Sequence, residues 1–157
     1  MSARVLVAGV GNIFLGDDGF GVEVARQLTG ERFPAGVRVA DFGIRGLHLA
    51  YELLDGYDTA ILVDAAPRGG TPGTVYVIEP DPAPPTDAPL DAHGLNPEAV
   101  LAAVQALGGS VGRVLVVGCE PETTEEGIGL SEPVSLAVNE AVRVVRELVA
   151  DETSQEE

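Results

Sequence analysis

Residues 5–28 read VLVAGVGNIFLGDDGFGVEVARQL. Val5 to Ala8 form a short apolar run that suits a buried strand. Gly9, Gly11 and Gly16 then make a turn, and a helix is expected from about Asp18 to Thr29. Asp17 and Asp18 stand where that helix should begin, a position that favours carboxylates through capping and through the helix dipole. Strand, glycine-rich turn and helix together form the opening unit of an α/β fold. The place where a nucleotide phosphate would sit in such a fold already carries negative charge, so this N-terminal stretch suits a cation.

Downstream, strand and helix patterns alternate. Strands are expected at Val37 to Ala40, Ala60 to Val63, Thr74 to Ile78 and Val114 to Val117. A helix is expected at Leu47 to Leu54, with Gly56 as its stop. The loop before Thr74 is short and rich in Gly and Pro, which favours antiparallel pairing because a parallel crossover needs a dozen residues or more. Glu79 to Leu95 holds five of the eleven prolines and reads as a long surface loop. Asn96 is the expected cap of the next helix, with Pro97 in its first turn and Val100, Leu101, Val104 and Leu107 on its apolar face. The last helix starts near Ser131 or Glu132 and carries an apolar stripe from Val134 to Val149. This pattern predicts one α/β domain over residues 1–150. It is a twisted, mostly parallel five-stranded sheet with helices on both faces, a three-layer αβα arrangement with one antiparallel strand. Residues 151–157 are expected to form a frayed, disordered acidic tail.

The chain has 157 residues and a net charge of -16, from 25 acids against 9 basic residues, all arginine. Such a field opposes binding to nucleic acid and to anionic membranes, which depends on cationic side chains. Basic peptides and cations are the natural partners, although part of the charge serves solubility. Cys119 is the single cysteine, which excludes an intrachain disulfide and a thiolate metal cluster. It reads as a small core residue at a strand end. No basic leader or membrane-length apolar run is evident, so a cytoplasmic location is expected.

In an open α/β sheet, ligands bind beyond the carboxyl ends of the strands. There the sequence places Asp17 and Asp18, then Asp41, Asp64, Glu120 and Glu122, and His93 lies in the long loop that could fold over this edge. Two or three carboxylates with one imidazole suit nickel, zinc or manganese. The simpler alternatives are a helix cap for Asp18, with Asp17 competing, and an exposed loop position for His93. Adjacent residues on a helix point in different directions, so one of the two aspartates should face the site. An acid ending the apolar strand before Ala65 and Ala66 reads as functional, so Asp64 is favoured. His48 reads as structural or exposed, and Asn96 and Glu98 as helix-start residues. Phe14 occupies the place of the third glycine of a dinucleotide fingerprint, and the P-loop lysine is missing. No nucleophile elbow is present.

Taken together, GVGNIFLGDDGFGVEVARQL, AILVDAA around Asp64, the HGL segment with His93, and Pro121-Glu122 followed by GIGLSEPV resemble the nickel–iron hydrogenase maturation endopeptidases. The resemblance covers nearly the whole chain. It implies metal-binding positions at Asp18, Asp64 and His93, with Asp18 standing where the family often has Glu. It implies a catalytic set of these three with Asp41, the family's acid after the second strand. The chain departs from the family at DFGIRG, where many members have Asp-Gly-Gly-Thr-x-Gly, so Phe42 and Arg45 bear on substrate contacts. The implied reaction removes the C-terminal extension of the hydrogenase large-subunit precursor after nickel insertion, cutting after a basic residue. The implied metal is nickel supplied by the substrate, with no other tightly bound cofactor. Nickel could polarise the scissile carbonyl or deliver hydroxide, or a carboxylate such as Asp18 or Asp41 could act as general base. Glu120, Glu122, Glu125 and Glu126 are expected to attract the basic residue before the cut. The implied partner is that precursor, with no nucleic acid or membrane partner, and the chain is expected to be a monomer. The competing readings are a nickel-binding accessory or chaperone protein without proteolytic activity, and a small-molecule-binding α/β domain.

Overall fold

In the computed structural model, residues 3–80 and 97–154 are described. The strands are β1 (Val5–Val10), β2 (Val37–Gly43), β3 (Thr59–Ala65), β4 (Val75–Ile78) and β5 (Arg113–Cys119). The helices are α1 (Phe20–Leu28), α2 (Gly46–Leu53), α3 (Pro97–Ala106) and α4 (Glu132–Ser154), with a 3-10 turn at Gly16–Gly19 leading into α1. The strands form one sheet in the order β2-β1-β3-β5-β4. All neighbours are parallel except β4 and β5, which pair antiparallel as the short Gly/Pro loop predicts.

Period-two alternation along the central strands builds two cores. Val5, Val7, Ile61, Val63, Leu115 and Val117 face α1 and α4. Leu6, Ala8, Ala60, Leu62, Val114 and Val116 face α2 and α3. The strands therefore read as continuous apolar runs, because both faces are covered. Phe20, Val24 and Leu28 of α1 are fully buried, and each such side chain contributes about 1.5–3 kcal/mol by leaving water. Glycine lets α1 come close. A Cβ at Gly21 would lie 2.1 Å from the Val63 carbonyl oxygen and 2.4 Å from that of Val10. A Cβ at Gly9 would lie 2.2 Å from the Gly21 carbonyl oxygen.

One expectation is corrected. Asp151–Ser154 are not a frayed tail but the last turn of α4. Glu152 is buried there, accepting a hydrogen bond from the Thr59 hydroxyl at 2.9 Å and pairing with Arg113 at 3.1 Å. These partners lie at the amino ends of β3 and β5, and they hold the turn against the sheet. The expected cap Asn96, most of the Glu79–Leu95 loop and residues 155–157 lie outside the described residues. No helix among the described residues is long and apolar enough to cross a membrane.

Candidate functional site

Strands β1 and β3 are neighbours at the centre of the sheet. The chain leaves β1 toward β2 on one side and leaves β3 toward β4, beyond β5, on the other. That reversal opens a crevice beyond their carboxyl ends, the usual ligand position in such sheets. Asp18 reaches it from the 3-10 turn after β1, and Asp64 from the end of β3.

The structure decides between the two adjacent aspartates. Neither the 3-10 turn nor α1 has a side-chain cap, so the capping reading of Asp18 fails. Its carboxylate instead accepts a hydrogen bond from the Asn12 amide at 2.7 Å, which fixes it to the glycine turn after β1. Gly11 permits that approach. Its φ is 138°, and a Cβ there would lie 1.9 Å from the Asp18 carbonyl oxygen.

Asp17 points the other way and is completely buried. It accepts hydrogen bonds from the amides of Glu122 (2.8 Å), Thr123 (3.1 Å) and Ser131 (2.7 Å), and from the Ser131 hydroxyl (2.8 Å). Burial alone would raise its pKa, but these bonds, led by the Ser131 amide, outweigh burial and hold it below the ordinary carboxylate value. Asp17 therefore ties the segment between β5 and α4 to the start of α1. Sequence reasoning missed this role, and its one signal was a pair of acids where a single cap would suffice.

The Asp64 carboxyl is pushed well above the usual range, first by burial and second by the charge of Asp18, with an opposing hydrogen bond from the Ala65 amide. A cation placed beside the two carboxylates would offset the Asp18 charge and the burial that oppose ionisation of Asp64. These two form the part of the expected ligand set that the described residues bring together. Two carboxylates alone do not complete a site, and no group of three or more His, Cys, Asp or Glu among the described residues could hold a metal ion. His93, the expected third member, lies outside the described residues.

Asp41 sits at the same edge, in register with Gly9 of β1. It is exposed, and its carboxylate lies 4.0 Å from the Arg45 guanidinium. Arg45 also donates to the carbonyls of Asp41 (2.9 Å) and Phe42 (3.1 Å), so it braces the turn that departs from the family pattern. Among the acids after β5, Glu120 is corrected. It is buried, and its carboxylate accepts from the amides of Arg68 (2.7 Å) and Gly69 (3.1 Å), shaping the loop before β4 rather than facing a substrate. Glu122, Glu125 and Glu126 are exposed. His48 is exposed on α2. Cys119 is fully buried, and its thiol is pushed up to about 11, chiefly by burial, as befits a core residue.

Known proteins share this architecture. The family model described as hydrogenase maturation protease matches residues 22–148. The chain is 34% identical over 151 residues to the hydrogenase expression/formation protein HupD of Rhodobacter capsulatus, covering 91% of this chain and 71% of that protein. It is 31% identical over 146 residues to the hydrogenase 2 maturation protease of Escherichia coli, covering 90% and 88%. Among solved structures, the hydrogenase maturating endopeptidase HybD from E. coli superposes with a TM-score of 0.79 at 29% identity, covering 94% of this chain and 93% of the other. The chain belongs to the hydrogenase maturation protease family, and it is a peptidase of that family.

Proposed function

We propose that this protein is the endopeptidase that removes the C-terminal extension of a nickel–iron hydrogenase large-subunit precursor once nickel has been inserted. The observation that carries the reading is the Asp18–Asp64 pair at the β1/β3 crevice, two carboxylates that a cation would relieve of mutual repulsion. Nickel comes with the substrate and is not a resident cofactor. Asp18, Asp64 and His93 meet it there, so the enzyme engages a precursor that already holds its metal. Asp64 keeps its proton to higher pH than an ordinary carboxyl, which suits a group that gives up or takes a proton during peptide cleavage. Asp41 stands at the crevice mouth beside Arg45 and contacts the chain that precedes the cut. The enzyme works as a monomer in the cytoplasm.

The test is the intact mass of the cognate precursor after incubation with this protein, with and without nickel loading. Loss of a discrete C-terminal peptide from the nickel-loaded form alone is the expected result. An uncut precursor that is verified to hold nickel would overturn the reading.

A further inference from the structure

Nine large hydrophobic side chains are exposed among the described residues, and five of them, Ile13, Phe14, Ile44, Leu47 and Ile128, stand on segments that leave the carboxyl ends of β1, β2 and β5. Water-exposed apolar groups gathered beside a site mark a surface that something covers. Phe14 is 61% exposed and Ile128 80% exposed. Their segments are stitched into one lip. Gly127 N–H donates to the Phe14 carbonyl at 2.9 Å, and Gly16 N–H donates to the Gly127 carbonyl at 2.8 Å. The buried Asp17 clamps the same segment from beneath. Behind the lip runs a groove of ≈ 310 Å³, lined by the apolar Ile13, Val22, Ile128 and Leu130, by the Glu23–Arg26 ion pair, and by Gly16 and Gly19, the residues on either side of Asp17 and Asp18. Glu122, Glu125 and Glu126 are exposed along the same segment, and no ion pair among the described residues neutralises them.

We propose that the lip of Ile13, Phe14 and Ile128 is a docking surface for an apolar segment of the protein substrate that carries flanking basic residues. The apolar side chains meet the lip, and the basic residues meet Glu122, Glu125 and Glu126. Charge complementarity selects this occupant, because the one cation lining the groove, Arg26, is already paired with Glu23, while Glu122, Glu125 and Glu126 beside the lip have no ion-pair partner among the described residues. The backbone stitching preorganises the lip, so little ordering cost opposes binding. The surface adjoins Asp18 but supplies no reacting group. It therefore sets how tightly the substrate is held and leaves the chemical step alone. This inference rests on the function proposed above.

The experiment compares the wild-type protein with Phe14→Ser, Ile128→Ser and Leu107→Ser, the last removing an exposed apolar group at the opposite edge of the sheet. Binding of the nickel-loaded precursor is measured by titration, and its cleavage by intact mass over time, with Tm recorded for each variant. The expected result is a Kd and KM raised about tenfold in the two lip variants, with kcat and Tm unchanged and Leu107→Ser like wild type. Unchanged Kd and KM in both lip variants would overturn the docking surface while leaving the proteolytic reading intact. Wild-type protein that binds the precursor without cutting it would sink the proteolytic reading, and the Kd values would then decide the docking surface on their own. Absence of any wild-type binding would overturn both.

Discussion

At the residue scale, Asp64 and Asp17 show how environment splits the roles of like side chains. The Asp64 carboxyl titrates above its unfolded value, because burial and then the Asp18 charge oppose its ionisation. The Asp64 contribution to stability is therefore greatest while it is protonated, and it is lost as pH rises through the folded-state pKa. Asp64→Asn is expected to abolish precursor cleavage and to raise Tm at pH 7, by roughly 2–4 °C for each kcal/mol of penalty removed. The stabilisation should shrink to nothing below about pH 4, where the unfolded chain also holds its proton. Thermal melts across pH check this, and a Tm that falls at neutral pH would refute it. Asp17 behaves in the opposite sense. Its pKa is held down, so its contribution is complete above the unfolded value and is lost as pH falls through the folded one. Asp17→Ala strands the amides of Glu122, Thr123 and Ser131 without their acceptor. The expected cost at neutral pH is about 3 kcal/mol, read by urea unfolding.

At the element scale, the position of α1 decides whether Asp18 reaches the crevice. That helix lies against β1 and β3 because Gly9 presents no Cβ to the Gly21 backbone and Gly21 presents none to the backbone of Val10 and Val63. Gly21→Ala places a methyl group 2.1 Å from the Val63 carbonyl oxygen, and neither backbone can yield cheaply. The expected loss is about 2–3 kcal/mol, with a matching fall in precursor cleavage as Asp18 is pushed off its position. Unfolding curves and single-turnover cleavage check the two parts separately. A variant as stable as wild type would show that α1 packs more loosely than this contact implies.

At the scale of the whole molecule, the C-terminal turn closes the fold at the edge of the sheet opposite the crevice. Glu152 joins α4 to β3 through Thr59 and to β5 through Arg113. Arg113 keeps a second partner in Glu79 and is partly exposed, so the pair is worth less than a sealed one. Deleting residues 151–157 is expected to cost about 1–2 kcal/mol and to leave KM and kcat for the precursor unchanged. Tm and steady-state cleavage of the truncated chain check this, and a Tm equal to wild type would show that the turn contributes nothing. The strongly acidic surface acts at the same scale, favouring approach of basic segments and opposing nucleic acid.

Most of the fold was readable along the chain. The apolar runs at Val5, Ala60 and Val114, the Gly/Pro loop before β4 and the stripe of α4 are local periodicities, and local periodicity dictates which element can bury its apolar side. The acids at the carboxyl ends of β1 and β3 followed from the same reading, because strand direction alone carries them to one edge. Three assignments needed the tertiary structure. Asp17 rather than Asp18 turns inward, Glu120 serves a loop rather than the rim, and Glu152 is buried rather than frayed. Each depends on partners far away in sequence: Asp17 and Ser131 are 114 residues apart, Glu120 and Arg68 52, and Glu152 and Thr59 93. A carboxylate carries the same charge at a cap, on a rim or in a core. The sequence determined where the acids stand, and only the packed chain decided which of them find amide and hydroxyl donors that make burial tolerable.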